Sequence, residues 1–290
     1  MKITVSGSTG FIGKHLVQQL VERGHQIVPV RRELLQENSF QYLVAAMRGC
    51  DAVINLAGAS INHRWTDAYK KELYSSRIGV TRQLVRAMHE LEKKPDVMIS
   101  ASAVGYYPSQ GEYDEYAMER TEGFLAALCR DWEAEAGKCP QETRLVITRF
   151  AVVLSPDGGA LPQMLLPLRW FRLSPVIGNG RQAFPWIGLT DLCRALVFLV
   201  EDGEACGIYN LTSPQMITQR YFAEVSGKAY HAWGLLPVPA WFFKLLYGEA
   251  ASVMTAGQKV RPRRLLDAGF TYLNPTIEQF FLSAGQTLRD

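Results

Sequence analysis

Apolar and polar positions fall into short blocks over the first 150 residues, and the period changes from block to block. Residues 3–6 form an apolar run of strand length. Residues 11–23 repeat apolar side chains at helical spacing, with Ile12, Leu16 and Leu20 on one stripe and Val17 and Val21 beside it. Gly24 stands where such a helix ends. Further strand-length runs occur at 27–30, 52–56, 97–100 and 145–148, with helical patterns at 66–76, 80–91 and 122–135. Strand and helix in alternation predict an α/β protein with a Rossmann-type doubly wound parallel sheet.

From Pro156 to Pro185 the rhythm breaks, Pro and Gly become frequent, and further prolines follow at 214, 237 and 239. This predicts a first domain over 1–155, completed by 185–212, and a smaller C-terminal substrate lobe from 156–184 and 213–290. Helical segments near 240–247 and 275–283 belong to that lobe. No repeat, low-complexity tract or flexible linker separates the two, so packed lobes are expected.

Bulk composition narrows the function classes. At 290 residues, 48% hydrophobic and 20% charged, the chain reads as an ordinary globular protein, and a net charge of +3 does not by itself imply a nucleic-acid partner. The longest apolar runs, 195–200 and 241–243, are far shorter than the roughly 20 residues that span a bilayer, so no membrane partner is expected. Met1 runs directly into the first strand, which leaves no room for a signal peptide. Cys50, Cys129, Cys139, Cys193 and Cys206 are scattered, and His15, His25, His63, His89 and His231 are isolated. A reduced, cytoplasmic protein without disulfides or a metal is expected. Apolar helix faces leave a homodimer open.

The first chemistry-bearing pattern is Gly7-Ser-Thr-Gly-Phe-Ile-Gly13. Binding a phosphate needs backbone N–H groups converging on one point with no side chains in the way, at a strand-to-helix turn. Gly7 makes the turn, Gly10 admits a pyrophosphate and Gly13 lets helix and strand approach, with Thr9, Phe11 and Ile12 between them. The second strand ends in Val30-Arg31-Arg32, where an NAD(H) site would carry a carboxylate for the ribose 2′-hydroxyl. Guanidiniums there bind a 2′-phosphate, so NADP(H) is expected. The competing account is a solvated loop partly neutralised by Glu33.

Asn55-Leu-Ala-Gly58, together with the glycine triplet, resembles the short-chain dehydrogenase/reductase superfamily. Length and the C-terminal lobe are similar to its extended branch of sugar-nucleotide epimerases and dehydratases. Val104-Gly-Tyr-Tyr107, Arg130-Asp-Trp-Glu133, Phe184-Pro-Trp186 and Gly257-Gln-Lys-Val260 resemble the group named epimerase family protein, over nearly the whole chain. The resemblance implies cofactor contacts at Leu56, Ala57, Glu72, Arg77 and Val153, with Gly58 completing the Asn-x-Ala-Gly turn. Without it, Arg77 reads as an exposed helix charge.

Enzymes of that superfamily pair Tyr-x-x-x-Lys on one helix with a Ser or Thr at a strand end. A free tyrosine has a pKa near 10, and a lysine one turn away favours the phenolate. Ser102 matches the serine, but the helix that should carry the pair offers Phe124 and Leu128. No tyrosine has a lysine four residues on; Tyr116 with Arg120 comes nearest, in an acidic stretch. Tyr106 is the substitute expected to act with Ser102 in catalysis, and Tyr107 and Arg181 are expected on the substrate side. The basic run Lys259, Arg261, Arg263 and Arg264 suits a diphosphate or a solvated face equally. Trp170, Trp186, Trp233 and Trp241 line a cleft or fill a core. Two functions stand: an NADP(H)-dependent oxidoreductase or epimerase on a small substrate, with nucleotide sugars one candidate class, or a non-catalytic NADP(H)-binding sensor or interaction protein.

Overall fold

A computed structural model describes residues 1–119 and 121–287. Six strands, β1 (Lys2–Ser6), β2 (Gln26–Val30), β3 (Ala52–Asn55), β4 (Val97–Ala103), β5 (Arg144–Phe150) and β6 (Gly207–Leu211), form one sheet. All pair in parallel, in the order β2-β1-β3-β4-β5-β6. Helices cover both faces: α1 (Phe11–Glu22), α2 (Phe40–Met47), α3 (Asp67–Tyr74), α4 (Val80–Glu90), α5 (Phe124–Ala136) and α6 (Leu189–Glu201). Because successive strand residues point to opposite faces, Ile54 and Ile99 join Leu16, Leu20 and Leu196 in one core. Their neighbours Val53 and Met98 join Leu43, Leu84 and Met88 in the other. Burial on both faces is why the strands read as continuous apolar runs.

The chain leaves β1 toward β2, then crosses back to place β3 on the other side of β1. Ligands of open parallel sheets bind outside the strand ends at such a reversal. Two features shape this edge. Thr66 caps α3 by accepting the Tyr69 N–H, and Ser75–Gly79 between α3 and α4 winds as a π turn. Sequence periodicity predicts two separate helices there. The backbone instead runs without a break from one into the other.

Elsewhere Val152–Ser155 pairs with Trp186–Gly188 and, through a tight hairpin, with Gly158–Gly159. Leu173–Ile177 and Gly234–Val238 make a separate parallel ribbon. Leu161, Leu165, Trp186, Phe222, Phe280 and Phe281 form a third core, while Leu265, Phe270 and Tyr272 return to the main sheet's core. Ala250, with Tyr247 and Val253, packs against Trp65 and Leu73 beside the strand ends, and Glu249 pairs with Lys70.

Candidate functional site

The turn after β1 is built for close backbone approach. Gly7 has φ +71°, and a side chain on it would meet the Leu56 carbonyl carbon at 2.9 Å. A Cβ on Gly13 would lie 2.1 Å from the Gly7 carbonyl oxygen, so only glycine lets α1 start this close to the strand. Gly10 is the residue before α1, and no side chain among the described residues caps that helix. Its first N–H groups therefore face the strand edge with the positive end of the helix dipole behind them. Thr9 is exposed, and Phe11 and Ile12 are half-buried. Phe11 lies against the Gly158–Gly159 hairpin, where a Cβ on either glycine would come within 2.9 Å of its ring.

The reversal point is tied from beneath by buried hydrogen bonds. Ser6 Oγ donates to Asn55 Oδ1 at 2.6 Å, and Asn55 Nδ2 donates to Thr81 Oγ1 at 2.8 Å. Thr81 Oγ1 also accepts from Trp132 Nε1 at 2.9 Å and donates to the Arg77 carbonyl at 2.7 Å. Arg77 closes the set: its Nη2 donates to the Ala59 carbonyl at 2.9 Å, and its guanidinium lies over Trp132 and against Gly58. Burial pushes the Arg77 pKa below its ordinary value. Leu56, Ala57 and Gly58 are thus held beside Gly7 by an arginine that a surface reading of the sequence would leave in solvent. Glu72 is exposed on α3.

Arg31 and Arg32 are exposed just past β2, one strand over from the glycine turn, and neither side chain has a partner among the described residues. Val153 is half-buried on the strand that pairs with Trp186–Gly188.

At the end of β4 a second cluster forms. Ser102 stands opposite Arg149 in the β4–β5 register, 3% exposed, and donates to Glu133 Oε1 at 2.6 Å. Glu133 reaches in from α5 and takes a two-point ion pair from Arg149, Nε to Oε1 at 2.8 Å and Nη2 to Oε2 at 2.7 Å. Burial opposes the Arg149 charge, but the Glu133 carboxylate outweighs it and raises the arginine's pKa above its ordinary value. The remaining nitrogen, Nη1, is buried without a partner in the described structure. The guanidinium carbon sits 3.5 Å from the Tyr106 ring centre and 4.8 Å from that of Tyr107. Because the one hydroxyl hydrogen of Ser102 goes to Glu133, the serine offers a ligand lone pairs only.

Tyr106 is half-buried, whereas Tyr107 is fully buried and donates to Asn210 Oδ1 at 3.0 Å. Tyr107 packs in the main core rather than a cleft, and that burial pushes its phenol up. Arg181 lies apart from both clusters' bonded partners, exposed on the turn after Leu173–Ile177. The three arginines of the basic run are committed to protein: Arg261 pairs with Glu112, Arg263 with Asp114, and Arg264 donates to the Ile208 and Cys206 carbonyls, while Lys259 is exposed. Arg120 lies outside the described residues. Phe124 packs against Trp65 and Tyr74, with the Lys70 ammonium 5.0 Å above its ring. Sequence reasoning gives Glu133 and Arg149 no role. The available signal was a charged residue inside the strand run Val146-Ile-Thr-Arg-Phe150, which demands a buried counter-charge.

The NAD dependent epimerase/dehydratase family model matches residues 3–212 of this sequence. The chain belongs to that family. A domain of unknown function, DUF1731, matches residues 238–282 of this family member. The epimerase family protein SDR39U1 of Mus musculus is 37% identical over 96% of this chain and 97% of that protein. The epimerase family protein SH2119 of Staphylococcus haemolyticus is 34% identical over 92% and 93%. The crystal structure of human SDR39U1 (isoform 2) with NADPH superposes with a TM-score of 0.91 at 34% identity, covering 99% of each chain. A dTDP-4-dehydrorhamnose reductase from Clostridium acetobutylicum shares the fold, with a TM-score of 0.79 at 12% identity over 100% of this chain and 99% of that one.

Proposed function

We propose that this chain binds NADP(H) at the strand reversal and acts as an oxidoreductase or epimerase on a small substrate, with nucleotide-linked sugars the first class to try. The observation that carries the cofactor is the pairing of an uncapped α1 N-terminus with two unpartnered guanidiniums one strand away. Gly7, Gly10 and Gly13, with Thr9, Phe11 and Ile12, hold the pyrophosphate, and Arg31 and Arg32 take the 2′-phosphate. Leu56 to Gly58, Glu72 and Arg77 wall the adenosine side, and Val153 lies toward the nicotinamide. The crystallised human relative with NADPH supports the same choice. When bound, the nicotinamide supplies or accepts a hydride.

Around the reacting carbon, Ser102 accepts a hydrogen bond from a substrate hydroxyl, and Tyr106 is the phenol left open to exchange a proton. Arg149, held by Glu133, puts a positive charge on the face of that ring, in place of the missing lysine. Arg181 remains a proposal for the substrate side, Tyr107 is withdrawn from it because its ring is buried in the main core, and the five free cysteines suit a reduced, cytoplasmic compartment. The test is to denature the purified protein, identify released nucleotide by mass spectrometry, and follow NADPH absorbance over carbonyl compounds and sugar nucleotides. Turnover that falls at least tenfold in Ser102→Ala and Tyr106→Phe supports the assignment; unchanged rates in both remove it.

A second reading has its own support. Phe124 and Leu128 stand where tyrosine and lysine would, and Phe124 is caged by Trp65 and Tyr74. A non-catalytic sensor, whose NADP(H) occupancy orders the cleft, predicts bound nucleotide with no turnover across the panel.

A further inference from the structure

Two stretches, 158–190 and 225–248, contain no Asp or Glu. They carry Arg169, Arg172, Arg181, Lys228 and Lys244, all exposed and none in an ion pair among the described residues. These five charges exceed the +3 of the whole chain, so the rest of the molecule is net acidic. The fold brings the two stretches together. Leu173–Ile177 pairs with Gly234–Val238, and Trp233 N–H donates to the Arg172 carbonyl at 2.8 Å. At the far end of that ribbon, Gly178 N–H donates to the Val238 carbonyl and the helix Ala240–Tyr247 begins.

The same region exposes its largest apolar side chains. Trp170 is 72% exposed, Trp233 78% and Trp241 65%. Leu245, one helical turn from Trp241, is 66% exposed, and no residue of that eight-residue helix is buried. Single exposed apolar residues are ordinary, but three exposed tryptophans among five cations outside any described ion pair are not, and the nearby Glu224 and Glu249 are each already paired, with Arg220 and Lys70. The order Arg169-Trp-Phe-Arg172 alternates what a headgroup region offers, phosphate for the guanidiniums and the acyl boundary for the rings.

We propose that this face docks on an anionic phospholipid surface, lying on the bilayer without crossing it. A second copy is the weaker occupant, since a two-fold contact would set the same unpaired cations against each other. The short apolar runs that argue against spanning do not bear on docking, and no described helix is long and apolar enough to cross a membrane. The inference is independent of the reaction proposed above.

The test is co-sedimentation of the full-length protein with phosphatidylcholine vesicles, with and without phosphatidylserine. Binding should need the anionic lipid, weaken as salt rises, and fall about fivefold for each of Arg172→Glu and Lys244→Glu. Trp170→Ser and Trp241→Ser should lower binding while leaving the thermal melt in place, and brominated lipid should quench the wild-type tryptophans. Equal binding to neutral and anionic vesicles, or none to either, overturns the proposal. A concentration-dependent dimer by light scattering that the same variants dissolve, with no vesicle binding, assigns the face to a second copy instead.

Discussion

Arg149 shows how much a single side chain can organise. It is 2% exposed, and its charge is stabilised by one carboxylate. Glu133→Ala should therefore lower stability by about 3–5 kcal/mol in urea unfolding, because it strands a buried cation. Ser102→Ala removes one hydrogen bond and should lower it by only about 1 kcal/mol. Near-equal losses would show that the ion pair is not what holds the cluster. At the other cluster, Arg32→Glu should weaken NADPH binding at least tenfold more than NADH binding in a fluorescence titration, and equal weakening would exclude a 2′-phosphate role. The glycines were legible because each encodes a backbone requirement on the spot. Arg149 and Glu133 were not, because nothing near either residue in the chain names its partner, and only the packing of α5 on β5 brings them together.

Elements differ in the same way. Strands β1, β3 and β4 announce themselves by apolar runs, while Leu173–Ile177 and Gly234–Val238 each contain a proline that argues against a strand; both occur in a two-stranded ribbon that is all edge. Thr81 joins three elements. Thr81→Val would leave Asn55 Nδ2 and Trp132 Nε1 without their acceptor, at about 1–3 kcal/mol for each buried donor, read by thermal melting. The starts of β1 and β3 are linked by Asp51, which accepts from the Lys2 N–H at 2.7 Å and pairs with Lys93 at 3.1 Å. The Lys2 hydrogen bond and then Lys93 hold its carboxyl below the ordinary value. A lowered acid stabilises the fold above its unfolded pKa and loses that effect as pH falls through the folded one. Asp51→Asn should thus lower the melting temperature at about pH 7, and the difference from wild type should shrink as the pH falls below about 4 and on through the folded pKa.

Across the whole molecule, the C-terminal third is fastened to the sheet edge at distant points. A Cβ on Gly257 would lie 1.6 Å from the Ala183 carbonyl oxygen, so Gly257→Ala must push two segments apart and should lower stability by about 1–3 kcal/mol in a thermal melt. Sequence pattern gave the doubly wound class, since it follows from alternation alone. The closure over the strand ends was not visible, because Lys70 and Glu249 meet only in three dimensions. The π turn at Ser75–Gly79 acts on this scale too. A π turn holds one residue more than regular winding needs, so it serves as a phase shifter between the helix before it and the helix after it. Winding the same five residues as a regular α-helix instead would rotate everything beyond by up to about 100°. Thr81 would swing away from Asn55 and Trp132, and the stripe of Leu84 and Met88 would turn out of the core. The irregular winding keeps two otherwise ordinary helices in step.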